Sequence, residues 1–406
     1  MQGSIKRISI EGFRSLARIE NLELPQLTVL IGANGAGKSN FIRFFEMMSW
    51  MLRGQNLQEF ILRQGGGDDQ LFMGARTTPR MNAEIRIETH RGYNDYRFGL
   101  SHLSTGDTLI FVEEAYRYSN RTRQTEASWI ELPVPGKEAA LLQTTPTNQT
   151  AQTVAGLLKR CTTYHFHDTS THAYINQAWD CEESVWLRSD GANLAPVLLQ
   201  LRERDINRYK LIVRQINRVL PIFADFELQP AFGKVKLRWR GLHSEKTFGP
   251  HLTSDGSLRL FCLLTLLNLP SEMLPDVMFF DEPELGLHPH AITLVSEMLK
   301  KLSHTRQVFI ATQSPYMVDC FDLENVIVAT ADNGATKLRN LPRSQYQEWL
   351  DDDYLVSGCR HQTAMHQASD WVPHLKRVGI DEGYLNVRRH QDVLLVDVAD
   401  HVPSGV

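Results

Sequence analysis

Short apolar runs rich in β-branched residues recur along the chain, and several of them end at a glycine or at an acidic residue. The run from Leu27 to Ile31 reads LTVLI and leads into a glycine-rich turn. After the turn, apolar residues recur at spacings of three and four, at Phe41, Phe44, Phe45, Met48 and Leu52. This pattern predicts a buried strand, a glycine-rich loop and a helix with one apolar face, in direct succession.

Alternation of apolar and polar residues predicts strands elsewhere in the chain. The opening segment SIKRISIEGFRSLARIENLEL predicts a strand, a turn and a second strand that lead into the LTVLI strand. Runs such as AEIRIETH and DTLIFVEEAYRYS, separated by glycine-containing turns, predict β-hairpins between residues 81 and 150. The polar stretch from Gln143 to Thr153, at the end of this region, reads as a linker or loop.

Helical and strand-like patterns follow in the second half of the chain. The segment LAPVLLQLRERDINRYKLIVRQINRVL predicts one long helix that is ended by Pro221, within a mainly helical region at 190–270. From Asp276 to Ala329, the runs VMFFDE, AITLVSEMLKKLS, RQVFIAT and NVIVAT alternate between strand and helix. Such alternation is typical of parallel sheets, so the sequence predicts an α/β fold with a parallel core sheet.

The glycine-rich turn fits the phosphate-loop pattern G-x-x-x-x-G-K-[ST]. Its glycines let successive backbone N–H groups point into one hollow, where the dipole of the following helix also favours an anion. Lys38 would contact the β- and γ-phosphates of a bound nucleotide and assist catalysis, and the Ser39 hydroxyl would be a magnesium ligand. The candidate nucleotide-binding residues are Gly32, Ala33, Asn34, Gly35, Ala36, Gly37, Lys38, Ser39 and Asn40.

The segment VMFFDEPELGLHP ends an apolar strand in two acidic residues, Asp281 and Glu282. Because the carboxyl ends of parallel strands meet at one edge of a sheet, we expect these acids beside the phosphate loop. Asp281 is placed to hold magnesium through water, and Glu282 to orient or deprotonate the attacking water. A pair of capping acids at a strand-to-helix turn is the structural alternative.

The order of the motifs resembles that of ABC-type ATPases of the RecF and SMC branch, especially the short bacterial RecF-like AAA-family ATPases. The order is phosphate loop, long insertion, S-D-G-S turn at Ser254 to Ser257, F-D-E-P strand, G-L-H-P and I-A-T-Q-S. The opening IKRISIEGFRSL and the segments TYHFHDTS and LRSDGANLAPVLLQL are also similar to segments of that group.

This resemblance covers roughly residues 1–350 and implies an ABC-type ATPase head with ATP and magnesium as cofactors. The head is a P-loop NTPase with a β-rich N-terminal subdomain and a helical signature-motif subdomain. Residues 351–406 depart from the resemblance as a divergent C-terminal tail that packs on the head or contacts a partner.

The resemblance further implies a homodimer or higher oligomer in which two heads hold ATP sandwiched between them. Ser254, Asp255, Gly256 and Ser257 of one protomer would then reach the γ-phosphate that the opposite protomer's loop holds. Alone, this turn is an ordinary helix N-cap. The segment from Gly286 to Pro289 matches the loop that lies along the dimer seam in this family.

Three further residues take their roles from the resemblance. Gln313 stands in ATQSP where a switch histidine is usual, and its amide can hydrogen-bond a phosphate but cannot carry charge. Arg14 in GFRS matches an arginine near the phosphates, and Gln64 in LRQGGGDD is the candidate glutamine that senses magnesium. A polar surface role is the alternative for Arg14 and Gln64.

The resulting hypothesis is a slow, cytoplasmic ATPase that dimerises through ATP-bridged heads and switches a partner. Hydrolysis removes the bridge, so the nucleotide state sets the fraction of closed dimers. The family context favours anti-phage defence with a separately encoded effector protein. The alternative is a RecF-like repair mediator in which ATP regulates DNA binding. A transporter subunit is disfavoured because the signature reads S-D-G-S.

Charge and composition limit the other classes of function. A formal charge of −4 over 406 residues argues against nonspecific nucleic-acid binding by the whole molecule. Two basic arrays leave room for local contacts with a phosphate backbone, although a solvated surface is the favoured interpretation. They are Lys234, Lys236, Arg238 and Arg240 on a predicted strand face, and Arg204, Arg208, Arg214 and Arg218 near helical spacing.

Targeting and redox features favour the cytosol. The five cysteines are scattered without a C-x-x-C pair, so neither a disulfide framework nor a zinc ribbon is indicated. No signal segment precedes Ile5, and the longest apolar run is about ten residues, too short to span a membrane. We therefore expect a cytoplasmic protein that does not insert into a membrane.

Two weaker hypotheses concern metals. His165, His167 and Asp168 in YHFHDTS are possible metal ligands, because alternate strand residues share one face, but the sequence identifies no further ligand. Asp397 and Asp400 flank the end of the apolar strand DVLLVDVAD, as acids do in Toprim-type nuclease sites. The second acidic cluster of such sites is not evident, so an intrinsic nuclease is disfavoured.

Overall fold

Two six-stranded sheets dominate the part of the chain that the computed structural model describes, residues 3–54, 57–121, 127–168, 170, 172–242, 246–340, 386–390 and 393–397. The strands are β1 (Ser4–Phe13), β2 (Leu16–Glu23), β3 (Leu27–Ile31), β4 (Arg80–Glu88), β5 (Gly92–Leu103), β6 (Thr108–Asn120), β7 (Ile130–Glu131), β8 (Cys161–Tyr164), β9 (Ala178–Asp180), β10 (Phe223–Phe226), β11 (Lys234–Lys236), β12 (Trp239–Gly241), β13 (Thr247–Phe248), β14 (Val277–Asp281), β15 (Gln307–Thr312), β16 (Val326–Asp332), β17 (Ala335–Asn340), β18 (Asn386–His390) and β19 (Val393–Asp397). The α-helices are α1 (Lys38–Leu52), α2 (Leu57–Arg63), α3 (Leu141–Thr144), α4 (Gln149–Leu158), α5 (Leu194–Arg204), α6 (Ile206–Val219), α7 (Asp255–Leu267), α8 (Pro289–Ser303) and α9 (Pro315–Val318).

The second of these sheets is mainly parallel and has the strand order β17-β16-β3-β15-β14-β8. Its strands all pair in parallel except β17, which runs antiparallel to β16 at the edge. Every residue of β15 is buried, as expected for a strand that is covered on both faces. The predicted parallel core sheet is confirmed, and it brings the carboxyl ends of β3, β8, β14 and β15 to one edge.

The first sheet is antiparallel and has the order β2-β1-β4-β5-β6-β7. Along β4 the side chains of Met81, Ala83, Ile85 and Ile87 are buried, while the residues between them are partly exposed. This period of two gives the sheet one apolar face. The N-terminal strand pair and the hairpins that the alternation predicted are present as β1–β2 and β4–β5–β6.

The helix that follows the phosphate loop packs between the two sheets. Phe44 of α1 stacks on Phe98 of β5, with ring centroids 6.3 Å apart, and Phe45 contacts Phe279 of β14 at 4.7 Å. Burial of each such side chain contributes about 1.5–3 kcal/mol. These contacts fix α1 against β14, and the candidate site lies where the start of the helix meets the end of that strand.

The helical region shares a second core with the parallel sheet. This core includes Leu198 of α5, Ile212 of α6, Phe261 of α7 and Phe280 of β14, all fully buried. Helix α7 is therefore fixed against the sheet, and its first turn holds the S-D-G-S sequence.

The segment from Gln143 to Thr153 is not a linker, because α4 occupies part of it. Asn148 caps this helix by accepting a hydrogen bond from the backbone N–H of Ala151 at 3.0 Å. Ala151, Val154 and Leu158 are buried. The prediction was wrong because a mostly polar sequence hides the few residues that form the buried helix face.

The long helix predicted before Pro221 is two helices. α5 ends at Arg204 and α6 begins at Ile206. The side chain of Asp205, between them, accepts a hydrogen bond from the backbone N–H of Arg208 at 3.1 Å. The prediction of one helix was wrong because an aspartate N-cap can start a new helix without changing the apolar period.

Of the four basic residues predicted on one strand, three lie on two different strands and the fourth lies between them. Lys234 and Lys236 are exposed on β11, which pairs with β9, and Arg240 is exposed on β12, which pairs with β10 and β13. Arg238 is exposed between the two strands. The intervening side chains are all buried and are Val235, Leu237 and Trp239. The predicted alternation is confirmed, but the single strand is wrong because the chain changes sheets within it.

Most of the predicted tail, residues 351–406, lies outside the described residues. β18 and β19 pair antiparallel, and Asp397 ends β19, whereas Asp400 lies outside the described part. Among the helices of the described ranges, none has the length and apolar character needed to cross a membrane.

Candidate nucleotide-binding site

The phosphate loop connects the end of β3 to the start of α1. Gly37, directly before the helix, has a φ of 92°, in the left-handed region that glycine adopts at little cost. A Cβ on Gly32 would lie 2.3 Å from the backbone oxygen of Ala329, so only glycine allows this close approach to β16. Because Gly37 has no side chain to cap α1, the first backbone N–H groups of the helix stay available to an anion.

Lys38 is a buried cation within this loop. Its ammonium group donates hydrogen bonds to the backbone oxygens of Gly32 at 2.6 Å and Ala33 at 3.0 Å. Burial lowers the pKa of Lys38, and the negative charges of Glu282 and Asp281 oppose that shift. The acids of β14 are therefore close enough to support the charge of the loop lysine.

The two acids stand at the same sheet edge as the loop. Ser39 Oγ donates to Asp281 Oδ2 at 3.3 Å, which joins the first turn of α1 to the end of β14. Glu282 has a left-handed φ of 44°, and its backbone N–H donates to the oxygen of Ala311 at 2.8 Å. Non-glycine residues in this region cost about 1 kcal/mol or more, and such strain is concentrated at functional sites.

The capping alternative for this acid pair is not supported by the helix that follows. The N-cap of α8 is His288, whose side chain accepts a hydrogen bond from the backbone N–H of His290. Asp281 and Glu282 therefore do not cap α8. The structure brings them together with Lys38 and Ser39, as the order of the motifs predicts.

The S-D-G-S turn caps α7 and packs against the segment after β14. Ser254 accepts a hydrogen bond from the backbone N–H of Ser257 at 3.3 Å, and the two hydroxyl oxygens lie 2.9 Å apart. A Cβ on Gly256 would lie 2.1 Å from the backbone oxygen of Gly286, so the two backbones touch. Ser254 and Asp255 are exposed and therefore accessible to a partner. Their role at a nucleotide stays a prediction.

Arg14 and Gln64 lie together, in a polar cluster that the sequence did not reveal. Arg14 has a φ of 47° and donates to Gln70 Oε1 at 2.9 and 3.1 Å and to Gln64 Oε1 at 3.4 Å. Arg43 also donates to Gln64 Oε1. Burial lowers the pKa of Arg14, with Arg43 as the next cause. The Gln64 oxygen that would bind a metal is thus engaged by two arginines, and its role in sensing magnesium stays a prediction.

Gln313 directly follows Thr312, the last residue of β15, and Thr312 hydrogen-bonds to a buried acid from the segment after β14. Glu284 Oε1 accepts a hydrogen bond from Thr312 Oγ1, which itself accepts one from the backbone N–H of Ser314 at 2.9 Å. Gln313 is half-buried. Thr312 therefore links the segment after β14 to the predicted switch position.

The burial of Glu284 makes the stability of the protein depend on pH, and this can be tested. Burial raises the pKa of Glu284 from 4.5 to about 7. The folded protein therefore keeps a proton that the unfolded chain releases above pH 4.5, and this stabilising contribution is lost as the pH rises through about 7. We expect Glu284→Gln, which cannot ionise, to raise the free energy of unfolding over wild type by about 1–3 kcal/mol at pH 8. Urea unfolding at pH 5 and pH 8 would measure the difference.

The difference between Glu284→Gln and wild type should be markedly smaller at pH 5, because Glu284 is then mostly protonated in the folded protein. Glu297→Gln is a suitable control, since the Glu297 side chain is 62% exposed on α8 in a surface ion pair with Lys300. It should shift stability by less than about 0.5 kcal/mol at either pH. An equal effect of Glu284→Gln at both pH values would contradict the raised pKa of Glu284.

The two histidines of YHFHDTS meet the β14 acid rather than Asp168. His165 Nδ1 lies 3.9 Å from Asp281 Oδ2, and its Nε2 lies 2.9 Å from Glu46 Oε1 of α1. His165, His167 and Asp281 each place one possible ligand atom within 4.8 Å of the others. Asp168 instead accepts a hydrogen bond from the backbone N–H of Ser170. Grouping Asp168 with the histidines was therefore wrong, because the chain turns after His167.

A comparison with known protein families identifies the family to which this chain belongs. The family profile described as "AAA domain, putative AbiEii toxin, Type IV TA system" matches residues 27–319, which include the phosphate loop, the S-D-G-S turn and the acid pair. The chain belongs to this AAA-domain family. Together with the fold, this match confirms the predicted resemblance to SMC- and RecF-like ABC-type ATPases. No curated protein sequence matches the chain.

Solved structures of SMC heads are similar to this AAA-domain chain. An SMC head bound to the C-winged helix domain of ScpA has 14% identity and a TM-score of 0.54, and the match covers 85% of this chain and 99% of that one. The SMC head domain from Thermotoga maritima has 15% identity and a TM-score of 0.45, with coverage of 83% and 99%. The Pyrococcus furiosus head with an extended coiled coil, bound to the C-terminal domain of ScpA, has 13% identity and a TM-score of 0.49, with coverage of 86% and 99%. At 14% identity, the first of these shows the fold alone, that of an ABC-type ATPase head.

Proposed function

We propose that this protein binds and hydrolyses ATP and that the nucleotide state switches its association with a second head and with a partner. The observation that carries the proposal is the meeting of the loop, Lys38 and Ser39, with Asp281 and Glu282 at one sheet edge. The family and the head fold support nucleotide binding at this edge.

Each residue of the edge has a role that follows from its chemistry. Lys38 and the free N–H groups of α1 would neutralise and orient the phosphates. Ser39 and Asp281 offer the oxygen ligands that magnesium prefers, and magnesium held there with the nucleotide would neutralise charge on its phosphates. Glu282 would accept a proton from the attacking water, and Gln313 would hydrogen-bond the phosphate oxygens.

The dimer part of the proposal rests on the exposed signature turn. Ser254 and Asp255 are accessible at the start of α7, while the backbone contact between Gly256 and Gly286 couples that turn to the β14 acids. In a two-fold dimer the turn of one protomer would face the loop of the other, so each site would need both protomers. Closure of the sandwich would then depend on the nucleotide state.

We further propose a separately encoded protein partner and a role in anti-phage defence. The SMC head of the similar structure is bound to a domain of ScpA, which supports the docking of a protein on a head of this fold. The similarity to short bacterial RecF-like ATPases supports the defence role. Direct DNA binding through Lys234, Lys236, Arg238 and Arg240 is the competing function, and its signature would be strong salt dependence.

Lys38→Ala tests nucleotide binding directly. We expect at least a tenfold loss of ATP affinity, because the variant lacks the buried ammonium group that would face the phosphates. Equilibrium binding of a fluorescent ATP analogue would measure it. Lys301→Ala is the matched control, since Lys301 is an exposed lysine near the end of α8. Equal affinities of Lys38→Ala and wild type would remove the loop from the proposal.

A further inference from the structure

The end of β8 places a histidine beside the metal-binding candidate of β14. β8 and β14 are parallel neighbours with Tyr164 opposite Phe280, so the next residues, His165 and Asp281, lie side by side at the sheet edge. His165 Nδ1 is 3.9 Å from Asp281 Oδ2. The distance is too long for a direct hydrogen bond and short enough for one ion to contact both atoms.

The second ring nitrogen of His165 is held by a carboxylate. Nε2 lies 2.9 Å from Glu46 Oε1, so this nitrogen carries a proton and donates it. Nδ1 is then the ring nitrogen that can offer a lone pair to an ion, and it is the one that lies near Asp281. A carboxylate that holds the far nitrogen of a histidine is the usual support of a metal-binding imidazole, since it fixes the tautomer and the ring orientation.

His167 adds a third donor to the same place. Its Nδ1 is buried without a hydrogen-bond partner among the described residues, an arrangement that costs free energy unless something binds the nitrogen. The donor atoms of His165, His167 and Asp281 lie within 4.8 Å of one another. At bonds of about 2.1 Å the ligand atoms of a tetrahedral ion are about 3.4 Å apart, so side-chain rotations would have to bring these three atoms closer together around the ion.

We propose that His165, His167 and Asp281 bind one divalent transition-metal ion, with Glu46 as the positioning residue of His165. Two imidazoles and one carboxylate suit zinc, cobalt or manganese, whereas magnesium takes oxygen ligands. Three protein ligands leave at least one position of the ion open. The site is distinct from the magnesium pair Ser39 and Asp281, although the two share Asp281.

The shared aspartate gives the ion a regulatory effect, and this step rests on the proposed ATPase function. Asp281 Oδ2 lies 3.3 Å from Ser39 Oγ and 3.9 Å from His165 Nδ1. An ion bound to the two histidines would compete with Ser39 for this oxygen. We therefore expect zinc to lower ATP turnover at constant magnesium and ATP in wild type, and to do so less in His165→Gln.

The binding test uses the full chain without nucleotide or magnesium. Co²⁺ is added and its visible absorption is followed, because these bands strengthen when protein ligands replace water in a four- or five-coordinate site. Zn²⁺ binding is measured by calorimetry. Wild type should bind one ion. His165→Gln and His167→Gln should each weaken binding at least tenfold, and Glu46→Gln about ten- to a hundredfold, because the orienting carboxylate is lost. His304→Gln, at an exposed position after α8, is the control and should bind as wild type.

Two results would overturn the proposal. One is a wild-type protein that binds neither Co²⁺ nor Zn²⁺, a result that does not depend on any variant folding and that a doubly protonated His165 bridging Glu46 and Asp281 would give. The other is unchanged affinity in both histidine variants, which would place the ion elsewhere. Lys38→Ala separates this inference from the ATPase proposal, since it should lose ATP affinity and keep Co²⁺ binding.

Discussion

Replacing Glu282 by glutamine will lower ATP turnover by about a hundred- to ten-thousandfold while ATP affinity stays close to that of wild type. The amide keeps the size of the side chain but cannot accept a proton from the attacking water. The residue also has a left-handed backbone, and the hydrogen bond from its N–H to the oxygen of Ala311 fixes its backbone at the sheet edge. Single-turnover hydrolysis and equilibrium ATP binding would measure the two effects separately.

Glu284→Gln is the matched control for this prediction. It makes the same chemical change two residues away, in a side chain that is 8% exposed and accepts a hydrogen bond from Thr312. Burial raises the pKa of Glu284 to about 7, so it is a partly protonated, enclosed acid and poorly suited to act on water. Normal turnover in Glu282→Gln together with a large loss in Glu284→Gln would reverse the assignment.

Glu282→Gln also shows whether closure of the proposed dimer depends on nucleotide. Glu282→Gln binds ATP without consuming it, so the proposed sandwich should accumulate when magnesium and ATP are added. Light scattering on a sizing column, with and without ATP, would report the mass. A shift from one head to two supports the switch, whereas a monomer with ATP bound would leave Ser254 as a helix cap only.

The sequence predicted those parts of the site that lie in continuous motifs. The loop that ends in Lys38 and Ser39 needs a strand before it and a helix after it, and both show in the apolar pattern. Asp281 and Glu282 end an apolar strand of a parallel sheet, and parallel order alone places them beside the loop. Local chemistry and sheet topology were therefore enough for this core of the site.

The sequence did not predict contacts between distant segments. His165 and Glu46 are 119 positions apart, and Arg14 and Gln70 are 56 apart. Nothing in a single sequence pairs a histidine after one strand with a glutamate in the middle of a helix. The sheet order supplies this information, because β8 adds to the edge next to β14 and brings His165 to Asp281.

A mixture of two inactive variants should recover part of the wild-type ATP turnover. Lys38→Ala disables the loop, and Ser254→Arg places a bulky cation in the exposed turn. Both sites of either homodimer are therefore inactive. In a mixed two-fold dimer, one site combines both changes and the other combines an intact loop with an intact turn. Equal mixing makes half of the dimers mixed, so turnover should reach about a quarter of wild type.

This recovery distinguishes a shared site from a self-contained one. Ser254→Ala controls for the loss of the cap on α7, because it removes the hydroxyl without adding bulk or charge. This loss costs about 1 kcal/mol of stability and should leave the protein folded. Each variant alone, at the total concentration of the mixture, sets the baseline. If the mixture only averages the two baselines, Lys38 and Ser254 do not act in one composite site. If the turnover of the mixture exceeds both baselines, the turn of one protomer completes the site of the other. The backbone contact between Gly256 and Gly286 then provides a direct route from that turn to the acids of the same chain.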